Sequence, residues 1–188
     1  MKKNMPLGTY RFIDILVFTV LIILFEFLAT IFVDTSLYSV SLFIPLALIV
    51  MMRWNIWSII IIIASAITYV YANNGTSDNY LIYIIGDLFI LFNLLWFIKY
   101  KQNIKENNYM CIIYVISGYF LVEVGRSIVS ACLGYDFFNI LLSFLGTDSL
   151  SVLVGLVVIL IARRQNGLFE DQIEYLKRIN AEESLNEN

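Results

Sequence analysis

The stretch Tyr109–Leu133, YMCIIYVISGYFLVEVGRSIVSACL, decides how the rest of the chain is read. It is long and apolar enough to cross a bilayer, yet its second half carries Glu123 and Arg126. A charge in hydrocarbon has to face protein or water, so this segment is expected inside a bundle rather than against lipid. Glu123 and Arg126 are three residues apart and share one helix face, where they are placed to neutralise each other. Gly118 and Gly125 mark a second strip along which another helix can approach closely.

Composition extends that reading to the whole chain. Of its 188 residues, 60% are hydrophobic and 14% charged, and there is no histidine. A soluble domain of this size has too little interior to hide so much apolar surface. The chain therefore reads as an all-α integral membrane protein. The two cysteines, Cys111 and Cys132, fall near opposite ends of one helix, too far apart to bridge, and neither a disulfide scaffold nor a metal site is expected.

On either side of the central stretch, further apolar runs predict six transmembrane helices in residues 1–164. The first, Tyr10 to Phe32, follows a short basic lead and is too long and even to be a signal-peptide core. The second, Tyr38 to Met52, is short for a crossing and contains Pro45, which leaves a thin span, a proline kink or extension into the preceding loop as alternatives. Arg53 separates it from a third run, Trp54 to Ala72, whose Trp54 and Trp57 suit a headgroup-level helix end. After the polar turn NNGTSDN comes a fourth run, Tyr80 to Ile98, and after the basic connector KYKQNIKENN the central stretch itself. The sixth, Phe137 to Ala162, is broken by Gly146-Thr147-Asp148-Ser149, which reads as a cavity-lining turn or as a joint between two short helices. Residues 165–188 are expected to form a cytoplasmic tail. In it Phe169, Ile173 and Leu176 would be the apolar stripe of a short amphipathic helix, docked on a partner or on the bundle.

Basic residues orient the six runs. With a cytoplasmic N-terminus, Lys2, Lys3, Arg11, Arg53, Lys99, Lys101, Lys105, Arg163, Arg164, Lys177 and Arg178 all fall at the inner side, while the outer links carry Asp34, Asp78 and Asp136. Both termini are therefore expected in the cytoplasm. At about 1.5 Å rise per residue, Glu26, Asp87, Glu123, Arg126 and Asp148 then converge in the outer half of the bundle. An outward-facing polar cavity is expected there, over a floor sealed by Ile, Leu, Val and Phe. Tyr69, Tyr71 and Tyr83 would stand above the charges and Tyr119 and Phe120 below them, rings placed to hold a flat ligand. Asp14 is read as an inner-interface residue facing water.

The candidate substrate-binding residues are thus Glu26, Tyr69, Tyr83, Asp87, Tyr119, Glu123, Arg126 and Asp148. Each also has a structural reading: the acids and Arg126 as helix-to-helix ion pairs, the tyrosines as interface anchors. One Arg against four carboxylates leaves an acidic cavity, which favours a neutral or cationic ligand over a polyanion. No nucleophile with its base, metal-ligand cluster or phosphate loop is present in the pattern, so no enzyme and no cofactor is expected.

This arrangement resembles the substrate-binding membrane subunit, the S component, of energy-coupling factor (ECF) vitamin transporters. The resemblance rests on the architecture from Tyr10 to Arg164, on YRFIDILVFTVLIILFEFLATIF in the first span, on the MRWNIW junction and on the tail GLFEDQIEYLKR. Where that family often carries Ala-x-x-x-Ala in its first helix, this chain has Ala29 alone. The resemblance implies capture of a vitamin-like nutrient from outside, and as partners a transmembrane coupling protein with two cytoplasmic ATPases. The alternative is a structural or regulatory membrane subunit whose buried charges pair with neighbouring helices.

Overall fold

In the computed structural model, residues 6–32 and 38–186 are described, and they form helices α1 to α9 with no strand among them. Lys2, Lys3 and Asp34, used above for orientation, lie outside the described residues. Helix α1, Leu7–Phe32, buries Ile15, Phe18, Ile22 and Glu26, a single stripe spaced three or four residues apart. The rest of its surface is Leu, Ile, Val and Phe left uncovered, with Phe12 65% and Ile31 69% exposed. Such a helix is stable only where the surrounding medium is itself apolar.

Helix α2, Phe43–Trp54, is the opposite case, because every one of its residues is buried. Pro45 sits in its first turn, where a missing backbone N–H costs nothing, so the proline starts this helix and does not kink it. Ser41, just before α2, donates to Glu26 at 2.6 Å, and Arg53 near its end reaches Asp14 at 2.8 Å. Between those contacts α2 runs down α1 in the antiparallel sense. The chain reverses at Asn55, whose φ of 52° and ψ of −122° break the helix. A short 3₁₀ turn, Asn55–Ser58, leads into α3, Ile59–Ala72, which climbs α1 in parallel. The Arg11 guanidinium lies 4.2 Å from the Trp57 ring centre, and Asn73 meets Thr30 at the other end.

Helix α4, Ser77–Asp87, tightens after Asp87 into a 3₁₀ continuation, Leu88–Ile98. A six-residue helix α5, Lys101–Glu106, then turns the chain into α6, Asn108–Cys132, the central stretch of the sequence. Its start is capped by the Asn107 side chain, which accepts from the Tyr109 N–H at 2.8 Å. The last segment is α7, Phe137–Thr147, joined to α8, Ser149–Arg164, through a 52° bend. The break at Asp148 leaves little backbone unsatisfied: its N–H donates to the Phe144 carbonyl at 2.9 Å, and the Thr147 carbonyl accepts from Ser39.

Four helical runs among the described residues are long and apolar enough to cross a membrane, or five if α7 and α8 count as one bent span. The count is below six because Phe43–Ala72 is one run of 30 residues, folded back at Asn55, whose two arms are each shorter than a usual span. The chain is a multi-pass protein of the cell membrane.

The tail departs from its expected form. Helix α9, Gln172–Asn186, begins after the segment that docks, and Ile173 on its first turn is 37% exposed. Phe169 is buried in the apolar core, and the residues beside it in the chain are held by polar contacts. Lys101 pairs with Asp171 at 2.5 Å, Lys105 with Glu170, and Arg53 donates to the carbonyls of Gly167 and Leu168. The clasp is therefore one apolar plug, Phe169, followed in the chain by ion-paired Glu170 and Asp171, rather than an amphipathic stripe. Asp14 belongs to the same end and does not simply face water. Arg53 holds both its carboxylate oxygens at 2.8 Å, and the Trp54 indole N–H donates to it at 2.5 Å.

Candidate functional site

Arg126 is the hub of the other half of the bundle, and it is buried. Its Nε donates to Asp87 Oδ1 at 2.7 Å and its Nη1 to Asp148 Oδ2 at 3.0 Å, while Glu123 Oε1 lies 3.5 Å from the same Nη1. One face of the guanidinium lies over the Tyr83 ring, 4.5 Å from its centre, and Phe144 stands 5.8 Å away. Cation–π contacts of this kind gain strength when water is excluded. Four elements meet on one side chain: α4 supplies Asp87, α6 supplies Glu123 and Arg126 itself, α7 supplies Phe144, and the α7–α8 bend supplies Asp148.

Two glycines make that meeting possible. A Cβ built on Gly86 would lie 2.6 Å from Arg126 Cα, and one on Gly125 would lie 2.6 Å from Phe89 Cγ and closer still to the Gly86 carbonyl. Helices α4 and α6 thus touch backbone to backbone, as small residues permit in a membrane. This contact sets Asp87 within reach of Arg126. Gly118 also packs tightly, its position lying against Asn93 and Leu48. The strip read from Gly118 and Gly125 therefore meets two partners, with α4 recognised only through Gly86.

The second part of the site surrounds Glu26. Its carboxylate accepts from Ser41 Oγ at 2.6 Å and, at 3.5 Å, from Ser65 Oγ. The Ser41 N–H donates to Ser151 Oγ at 3.0 Å, and Ser151 Oγ donates to the Ser39 carbonyl at 3.0 Å, so the segment before α2 is stitched to the start of α8. Tyr119 donates to the Ser151 carbonyl at 2.5 Å and closes this level from below. Tyr69 and Tyr83 stack obliquely above it with ring centres 4.8 Å apart, and Phe144 meets Tyr83 edge-on.

Of the candidate residues, Glu26, Tyr69, Tyr83, Asp87, Arg126 and Asp148 line one small cavity. Glu123 reaches Arg126 from beside it. Tyr119 forms part of the support. Phe120 and Tyr71 do not take part, being 55% and 66% exposed on the outside of the bundle. Ser39, Ser41, Ser65 and Ser151 were not singled out from the sequence. Their only signal there is a hydroxyl set in an otherwise aliphatic run, as in IIIIIASAITY, a pattern common wherever serine satisfies its own helix backbone.

At the level of the charges the open polar cavity expected from the sequence is constricted to about 10 Å³, at the lower limit for a single water, while a wider pocket of about 310 Å³ adjoins it at Tyr69 and Tyr83. The cause lies in the charges themselves: Arg126 draws in Asp87 and Asp148, and serine hydroxyls fill the coordination of Glu26. Among the described residues, no group of three or more Cys, Asp or Glu is arranged to hold a metal ion.

These features define a membrane protein with a closed, charge-rich centre built from non-adjacent helices. No family model, curated protein or solved structure matches the chain.

Proposed function

We propose that this protein is the substrate-binding subunit of an ECF-type importer, which captures a small, neutral or cationic vitamin-like nutrient from outside. In this reading the chain crosses the bilayer six times, α2 and α3 being two crossings joined at Asn55, with both termini in the cytoplasm. Support comes from the alternating direction of the segments. Arg11, Arg53, Lys101, Lys105 and Arg163 gather at one end, and the loops at 73–79 and 133–136 lie at the other. The transmembrane coupling protein and two cytoplasmic ATPases would be its partners, and the chain itself would catalyse no reaction.

The observation that carries the proposal is the level shared by Glu26, Tyr69, Tyr83, Asp87, Arg126 and Asp148 around one cavity. A protein that needs only stability gains little from burying several carboxyl groups with one arginine, since apolar replacements of similar volume are often as stable. Retaining them is the mark of a place where charge is used. A solute larger than water requires the site to open, and the segment from Tyr38 to Leu42, held by Ser41 and Ser39, is the part whose bonds to Glu26 and Ser151 would be exchanged for bonds to the ligand.

The test is mass spectrometry of small molecules released on denaturing the detergent-purified protein, for wild type and Asp87→Asn. A stoichiometric solute in wild type that is lost in the variant supports binding. The structural alternative draws on the tight Arg126 pairing; no released solute, together with no binding across a vitamin panel, would establish it in place of transport.

A further inference from the structure

The Arg126 cluster sets one guanidinium against three carboxyl groups, and only two of them are hydrogen-bonded to it. Asp87 and Asp148 take Nε and Nη1. Glu123 approaches no closer than 3.5 Å, neither of its oxygens meets a donor in hydrogen-bonding geometry among the described residues, the Asp148 carboxyl, an acceptor when ionised, stands within its reach, and it is 1% exposed. An ionised carboxylate in that state is among the costliest groups a protein can bury. Its remedy, where no donor is at hand, is to become neutral.

The groups facing Glu123 leave no second cation to offset it. On α6 itself they are Tyr119 and Arg126, α4 presents Asp87 and the α7–α8 bend presents Asp148, while Glu26, Tyr69 and Tyr83 line the cavity next to them. Helix α2 and the 3₁₀ continuation of α4 add no titratable side chain at this depth, Arg53 lying at the far end of α2 on Asp14. Asp87 and Asp148 already share the one guanidinium, and a third ionised carboxylate would stand without a cation of its own in a medium with room for about one water.

We propose that Glu123 is a proton-binding site, a neutral carboxylic acid in the closed protein at neutral pH. This does not rest on the transport reading. The proton comes from water, and no other bond changes.

Infrared difference spectroscopy of the purified protein tests it, with the C=O stretch of a protonated carboxylic acid as the readout. Subtracting Glu123→Gln from wild type at neutral pH should leave one such band, sensitive to deuterium exchange. Glu123→Gln, which imitates the neutral acid in shape and charge, should also melt close to wild type, whereas Asp87→Asn melts lower. A wild-type spectrum without the band, a band that persists in Glu123→Gln, or a Glu123→Gln protein destabilised as much as Asp87→Asn would each overturn the assignment. Because no ligand enters the measurement, its failure would leave solute binding standing, and the absence of any solute would leave the proton standing.

Discussion

Replacing Gly86 by alanine tests whether the α4–α6 contact builds the site. The added Cβ would lie 2.6 Å from Arg126 Cα and 2.7 Å from Arg126 N, atoms of helix backbone that cannot swing aside. Ordinary carbon contacts need about 3.5 Å, so the helices must part by roughly 0.9 Å. Asp87 follows Gly86 directly, and its 2.7 Å bond to Arg126 would stretch with that separation. Overpacking of this kind costs about 1–3 kcal/mol, which for a chain of this length is a fall in Tm of about 2–12 °C. Gly146→Ala is the control, because nothing stands within 4 Å of its Cβ position. It should be neutral or stabilising by up to about 1 kcal/mol, the ordinary helix preference for alanine. Melting in one detergent, followed by tryptophan fluorescence, compares the three proteins. If Gly86→Ala melts with wild type, or if Gly146→Ala falls as far, the backbone contact does not hold the site together.

Cysteines introduced at Asn74 and at Gln102 should label from outside intact cells in the first case only, and the reverse pattern would refute the proposed orientation. Asp14→Asn leaves Arg53 buried without its anion, and should lower stability by about 3–5 kcal/mol; a change below 1 kcal/mol in chemical unfolding would show that the pair is dispensable. Burial raises the Glu170 carboxyl, but the Lys105 ammonium, the Gly167 N–H and the Arg178 guanidinium outweigh it and hold the group below the usual carboxylate range. Its stabilising contribution is thus complete above that range and lost as pH falls through the lowered value, so limited proteolysis should begin to cut near Gly167 in acid. Lys105→Gln should shift that onset to higher pH, and an onset unchanged by the substitution would separate tail docking from this ion pair. Calorimetry across a vitamin and nucleobase-like panel should show Asp87→Asn and Asp148→Asn losing affinity mainly for cationic members, whereas equal loss for all would assign the acids to the fold.

What could be read from the chain alone follows from the short list of structures that hydrocarbon allows. Every backbone group must be satisfied within its own segment, so an apolar run of sufficient length means a helix. Charges within those runs mark an interior. That logic located α1, α4, α6 and the broken last segment, placed Glu26, Asp87, Glu123, Arg126 and Asp148 in one half of the bundle, and singled out the Gly146–Ser149 break. Depth along a helix is fixed by rise per residue and needs no tertiary information.

Azimuth and separation are another matter, and only the tertiary structure decided them. Tyr71 and Phe120 have the right depth but point out of the bundle, because the rotation of a helix depends on which neighbours it packs against. Asp14 was expected to meet water, and its partner is Arg53, 39 residues on, brought to it by the reversal at Asn55. Periodicity in the tail suggested an apolar stripe, yet of its three residues only Phe169 is buried, and the ion pairs beside it reach residues more than 60 positions away. The closing of the cavity is the plainest case. Counting charges by depth shows that the acids and Arg126 coexist, but whether they stand apart around a solute or collapse onto one another depends on distances of an ångström. Those distances are set where Gly86 and Gly125 bring two helix backbones together, a contact between parts of the chain that no local pattern links.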